Sequence, residues 1–420
     1  MIDRQQPPTY YEPEYFPIKE VKSETLGGGI PFHYVNTGDQ ELLRLEIIFQ
    51  SGKWYEQLNG QSFLTGKLLG EGTKSYSSNE ISKFFERNGA FYEYSPGLDF
   101  INFNIFCLNK NLNNILPLIA EIISVPSFPE KELATIKNLQ IQNLRVNLEK
   151  TNFLAARIFR EKLFGADHPY GRQTEIRDIE NLTRDDITNY FQNFVLNNFE
   201  VIVSGKINDK ELHLLRDFFG RFTQNLVTVK KSTHFIQHQD KVYEPKEKSL
   251  QTSFKIGKLT LKKSDPDYAK LLIFNEVLGG YFGSRLMQKI REEKGYTYGI
   301  HSSIISLVQN TFFQISSDIV KEHKEDALNC IYEEIEGMIK TPVPEAELRT
   351  VINYFKGSFL SSINTPYALA DKFKSIYFHG LDYNYYRQLF ESFDEMTPEI
   401  LHAFIKKNIS IDDFMEVRIG

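Results

Sequence analysis

The chain has 420 residues, room for two domains of roughly 200 residues each. With 41% hydrophobic and 25% charged residues it has an ordinary globular mix for which disorder is not the default, and a formal net charge of −6 argues against a nucleic-acid-binding surface, which needs a basic stripe. Two cysteines, Cys107 and Cys330, one in each half, supply neither a disulfide framework nor a thiolate metal set.

The N-terminus, MIDRQQPPTYYEPEYF, has acidic and proline residues where a signal peptide needs a basic start and an apolar run. The expected location is therefore cytoplasmic. No apolar stretch approaches the length of a membrane span. After an extended arm over residues 1–20, strands are expected at Pro31–Asn36 and Leu42–Gly52, where Leu43, Leu45, Ile47 and Phe49 alternate. A helix follows from Gly60 to Gly70. Ser77 and Ser78 can cap another that Gly89 closes. Phe100–Leu108 alternates as a strand. Asn111–Ser124 reads as a helix, and Glu130 to Phe164 as one long helix. Phe199–Lys206 is the last strand of the first half, with a helix after it to Phe222.

The second half repeats this order. Pro129-Glu130-Lys131-Glu132-Leu133 opens the long helix of the first half, and Pro344-Glu345-Ala346-Glu347-Leu348 recurs 215 residues later. Gly89, closing Phe85 to Gly89 before a strand, matches Gly295, closing Ile290 to Gly295, at an offset of 206, and both halves close on a strand. The expected fold is α+β, with two homologous domains at 1–225 and 249–420 joined by a polar linker at 226–248. Each domain is expected to be a mostly antiparallel mixed sheet with helices packed on one face. His234 and His238 have i,i+4 spacing but fall in the linker, without a helical frame for a metal. His168 before Pro169 shapes a turn, and His301 reads as a surface strand residue.

The stretch LGGYFGSRLMQKIREEKGYTYG, Leu278 to Gly299, carries the functional signal. A helix ends at Gly279-Gly280, and a second runs from Ser284 to Lys294, where Gly295 stops it. Arg291 and Tyr298 flank that stop, so a guanidinium and a phenol can converge from two elements. A solvated charge run beside a half-buried strand tyrosine is the plain reading of the same residues.

The stretch resembles the C-terminal-domain signature of the pitrilysin/insulinase family of inverted-zincin peptidases. So do Gly72-Thr73 with Tyr76-Ser77, His168-Pro169-Tyr170-Gly171-Arg172, and Val417-Arg418-Ile419-Gly420. The resemblance implies two homologous α+β domains, and an Arg and a Tyr that grip substrate: Arg291 on a backbone carbonyl, Tyr298 on the oxyanion. It also implies that the Gly279-Gly280 turn approaches the substrate chamber closely. Active members carry His-x-x-Glu-His on a first-domain helix, two zinc ligands around a general base, and a distal Glu on a later helix. Aligned on Gly60 and Gly72-Thr73, this chain has Phe63 and Lys67 at the histidines, Gly66 at the base and Asn143 at the distal Glu. A one-residue shift of register does not help, because no histidine lies between His33 and His168. The chain is therefore expected to bind no zinc itself. By the resemblance it is the Arg/Tyr subunit of a heterodimeric peptidase whose partner holds zinc at an intact His-x-x-Glu-His. A peptide-binding or scaffold subunit with no part in hydrolysis is the alternative. The short aromatic loop at Gly279–Gly283 counts against a glycine-rich peptide-presenting role.

Overall fold

The computed structural model describes residues 13–224, 227 and 240–420. The paired histidines His234 and His238 lie outside the described residues. Six strands of the first half are β1 (Lys22–Thr25), β2 (Pro31–Asn36), β3 (Leu42–Phe49), β4 (Phe91–Pro96), β5 (Ile101–Leu108) and β6 (Phe199–Gly205). Five follow in the second: β7 (Lys241–Glu244), β8 (Gln251–Leu259), β9 (Ile300–Ser306), β10 (Thr311–Val320) and β11 (Met415–Ile419). They form two sheets, β1-β2-β6-β3-β5-β4 and β7-β11-β8-β10-β9. Without its edge strand β1, the first sheet has the same order as the second. The orientations agree as well: β2 with β6 and β7 with β11 are parallel, and the other neighbours are antiparallel. Strand β7 falls inside the stretch 226–248 read as linker from its polarity. Its parallel pairing with β11 makes it the edge of the second sheet instead.

The first half contributes helices α1 (Gln61–Leu68), α2 (Ser78–Arg87), α3 (Leu112–Ser124), α4 (Glu130–Leu148) and α5 (Thr151–Phe164). After them come α6 (Ile176–Asn181), α7 (Arg184–Tyr190) and α8 (Asp209–Phe219). The second half has α9 (Tyr268–Asn275), α10 (Lys324–Lys340), α11 (Glu345–Ser361), α12 (Pro366–Tyr377), α13 (Asn384–Asp394) and α14 (Pro398–Asn408). The start of α2 is a capping box, with Glu80 Oε2 accepting from both the Ser77 amide and hydroxyl at 2.9 and 2.7 Å.

The stretch expected as one helix from Glu130 to Phe164 is two. Lys150 is extended, at φ −90° and ψ 126°, and breaks it between α4 and α5 without a glycine or proline. The break sends α5 onto the other half. Ala155, Phe159 and Leu163 of α5 share a core with Phe312, Met415, Val417 and Ile419 of the second sheet. The second half does the same in return, because Leu369, Ala370, Phe373 and Ile376 of α12 pack with Val35, Ile48 and Ile202 of the first sheet. Helices α4 and α11, and α5 and α12, start 215 residues apart, so the exchange follows the internal repeat.

The exchange explains strand β3. Leu43, Leu45, Ile47 and Phe49 point into the core built by the first half's own helices. Arg44, Glu46 and Ile48 point to the opposite face, and they too are buried because α12 lies there. Each sheet is thus covered on one face by its own helices and on the other by a helix from the opposite half.

Candidate functional site

Helix α1 starts at Gly60, whose φ of +90° favours glycine, and packs between α4, α7 and strand β4. None of the residues at the zinc positions offers a ligand. Phe63 is half-buried against the core, Lys67 is exposed with Nζ 3.4 Å from the Tyr94 carbonyl, and Asn143 is exposed on α4. Gly66 is buried, and a Cβ there would come within 3.0 Å of Pro96 and 3.1 Å of Ile101. Packing against the β4–β5 turn therefore keeps position 66 small, and a glutamate base does not fit without moving that turn. Among the described residues no group of three His, Cys, Asp or Glu is placed to hold a metal ion. The donor set does not fit zinc.

What stands at this place is a cavity of about 360 Å³ between α1, α4 and α5. Phe63, Leu144 and Phe153 give it an apolar wall, and Lys53, Arg157 and Arg160 give it a cationic one. Arg157 is held by Glu175 at 2.5 Å and the Thr174 carbonyl at 3.2 Å. Burial pushes Lys53 down to about 8; Glu56 opposes the shift and the neighbouring Arg160, Arg172 and Arg157 add to it. Burial also raises the carboxyl pKa of Glu56, which accepts from the Ser62 amide at 3.0 Å and lies 3.4 Å from Arg172. Sequence reading did not find this group. Its cations come from three separated segments, and the one local trace is Arg157 and Arg160, one turn apart in the otherwise apolar run FLAARIFR.

In the second half the Leu278–Gly299 stretch folds as two short π-type segments, Glu276–Gly280 and Met287–Glu293. Such wide turns recur at functional sites. Gly279 presses onto strand β9, where a Cβ would meet the Ser302 amide nitrogen at 2.7 Å. Its small size serves this packing. Gly280 faces the Glu276 carboxyl at a similar distance. Gly295, at φ +66°, ends the second segment as expected. Arg291 stacks its guanidinium 4.8 Å from the Phe282 ring and pairs with Glu292 at 2.6 Å. Tyr298 stands 93% exposed, where a half-buried strand tyrosine was the plain expectation, and Phe282 is 65% exposed. No hydrogen bond joins Arg291 to Tyr298 among the described residues. His168 is buried in the turn after α5, its Nδ1 accepting from the Tyr170 amide at 3.1 Å, and His301 is exposed on β9.

Burial raises the Glu276 carboxyl to about 7. A carboxyl raised on folding holds a proton that the unfolded chain has lost, so its contribution to stability falls as pH rises from about 4.5 to 7. The Glu276→Gln variant should lack this loss. Denaturant titrations between pH 5 and 8 are expected to show the wild type losing on the order of 1–3 kcal/mol more than the variant. Parallel pH profiles would contradict the assignment.

Two halves built alike, with a peptidase-type helix pair stripped of its metal ligands, define the class. The chain belongs to the insulinase family of peptidases, family M16. Residues 34–166 match the family model "Insulinase (Peptidase family M16)", and residues 181–355 match "Peptidase M16 inactive domain". A Bacillus subtilis protein called uncharacterized zinc protease YmxG is 22% identical over 352 residues, 82% of this chain and 85% of that protein. A Helicobacter pylori protein called non-peptidase homolog YmxG is 22% identical over 388 residues, 88% of this chain and 87% of its own length. The crystal structure of a peptidase M16 inactive domain from Pseudomonas fluorescens shares the fold, with a TM-score of 0.85 at 23% identity, covering 95% of this chain and 98% of that one. Relatives thus carry names of both kinds, and the residues on α1 and α4 place this chain among the zinc-less members. No helix among the described residues is long and apolar enough to cross a membrane.

Proposed function

We propose that this chain is the zinc-less subunit of a two-subunit cytoplasmic peptidase, paired with a homologous subunit that carries an intact His-x-x-Glu-His. Its first domain spans about 1–225, and its second, which begins with the edge strand β7 and runs to 420, contributes the substrate-holding wall. Arg291 holds a backbone carbonyl of the peptide, and Tyr298 donates to the oxygen on which charge develops. The observation that carries this reading is the exposure of Phe282, which stacks on Arg291, together with that of Tyr298 just past the Gly295 break. Two large exposed aromatics, one of them stacked on a guanidinium, are a costly surface for a chain working alone, and they suit one closed by a partner and a peptide.

The second reading is a peptide-binding or scaffold subunit without a role in hydrolysis. It draws on the name of the Helicobacter pylori relative. One experiment separates the two. The chain is co-expressed with a family member bearing the zinc motif, the complex is isolated, and cleavage of a fluorogenic peptide is followed. Activity is expected in the complex and in neither subunit alone. If the zinc-bearing protein alone cleaves as fast as the mixture, or no complex forms, the two-subunit reading is wrong.

A further inference from the structure

The cavity beside Phe63 has a charge pattern that hydrolysis does not require. Lys53, Arg157, Arg160 and Arg172 cluster around it, against the carboxylates of Glu56 and Glu175. Arg157 and Arg172 pair with those two acids. Lys53 gives its ammonium to the Arg172 carbonyl at 2.5 Å. Arg160 has a long 3.4 Å bond from Nε to the Ala156 carbonyl, one turn back on its own helix. Arg160 forms no ion pair among the described residues, and Lys53 has only the Coulombic attraction of Glu56, which also pairs with Arg172. A desolvated guanidinium without a counter-ion is unfavourable, and an anion entering the cavity would relieve it.

The opposite wall limits what that anion carries. Phe63, Leu144 and Phe153 need an apolar body, while Gln140 and Gln173 at the lining can bond an amide. A volume of about 360 Å³ is at the small end of ligand sites, with room for roughly one or two residues. Arg160 presents its planar fork, which suits a carboxylate.

We propose that this cavity anchors the free C-terminus of a peptide, its carboxylate on Arg160 and Lys53 and its last apolar side chain against Phe63 and Leu144. The place that catalytic relatives use for metal chemistry would here hold a product end or a peptide terminus. The choice of a peptide over other carboxylates rests on the peptide-handling reading above; the anion site itself does not.

The test uses the full-length chain alone, so it stands apart from the mixed-complex assay. Isothermal titration compares N-acetyl-Leu-Phe bearing a free carboxylate with the same dipeptide as its C-terminal amide, and with octanoate. The acid should bind at least about tenfold more tightly than the amide, as loss of a charge-assisted pair implies. Arg160→Gln should remove that difference while leaving the weak amide binding as it was. Gln140→Trp, which fills the cavity mouth from half-exposed α4, should block both ligands and serves if Arg160→Gln does not fold. Equal binding of acid and amide, no binding by either, or an acid unaffected by either variant overturns the proposal. Octanoate binding more tightly than the peptide acid overturns the assignment to a peptide.

Discussion

Replacing Tyr298 by Phe in the two-subunit complex is expected to lower turnover by about 10²–10³-fold, the usual loss when one oxyanion donor is removed. The substitution takes away a hydroxyl and leaves the ring. Because the side chain is 93% exposed, the stability of the chain should change by no more than about 0.5 kcal/mol. A large rate loss with an unchanged melting temperature would therefore report chemistry. Arg291→Ala is a less clean probe. It also removes the contact with Phe282 and frees Glu292, so surface packing and charge change together. Steady-state kinetics on the purified complex decide the matter. If Tyr298→Phe stays within twofold of the wild type, Tyr298 is not the donor and the scaffold reading gains its place.

A second large effect should come from a residue far from any substrate. Glu46, on the face of β3 covered by α12, is 1% exposed. It lies 2.7 Å from Arg44 and 2.6 Å from Lys374 of α12. Asp371, also on α12, reaches the same two cations at 2.9 and 2.8 Å, but from the solvent side. Removing one member of a buried pair leaves the other charge desolvated and costs about 3–5 kcal/mol. Asp371 remains as a fallback partner, so Glu46→Ala should cost about 3 kcal/mol, the lower end of that range. Asp371→Ala, at the exposed side of the same cluster, should cost about 1 kcal/mol or less. Urea titrations of both variants check the order. Equal losses would mean that Glu46 is not the centre of the contact between α12 and the first sheet.

These two residues also mark the limits of reading the chain by eye. The repeat was legible because caps and helix starts are local. Pro129-Glu130 and Pro344-Glu345 announce α4 and α11 at a fixed offset, and the strand runs keep their period of two. The exchange of α5 and α12 was not legible. Nothing local marks Lys150 as a break, since neither glycine nor proline stands there although its backbone is extended. Nor does anything local mark Arg44 and Glu46, the charged alternates of β3, as covered. The lost metal ligands were found because His-x-x-Glu-His is a compact pattern whose absence shows. The cations of the cavity were missed because Lys53, Arg157 and Arg160 meet only through the tertiary fold. Arg291 and Tyr298 were singled out by resemblance, and their exposure could not have been judged from spacing.

The crossing of α5 and α12 has a consequence for how the molecule holds together. Each half lends the other the cover for one sheet face, so the chain behaves as a dimer whose two subunits are tethered in sequence. The tether replaces a bimolecular encounter with a high effective concentration. Two separate polypeptides would have to recover that association from solution while exposing Phe159 and Phe373, together with the sheet faces these residues cover, until they met. Coupling of this kind makes the halves one unit in unfolding.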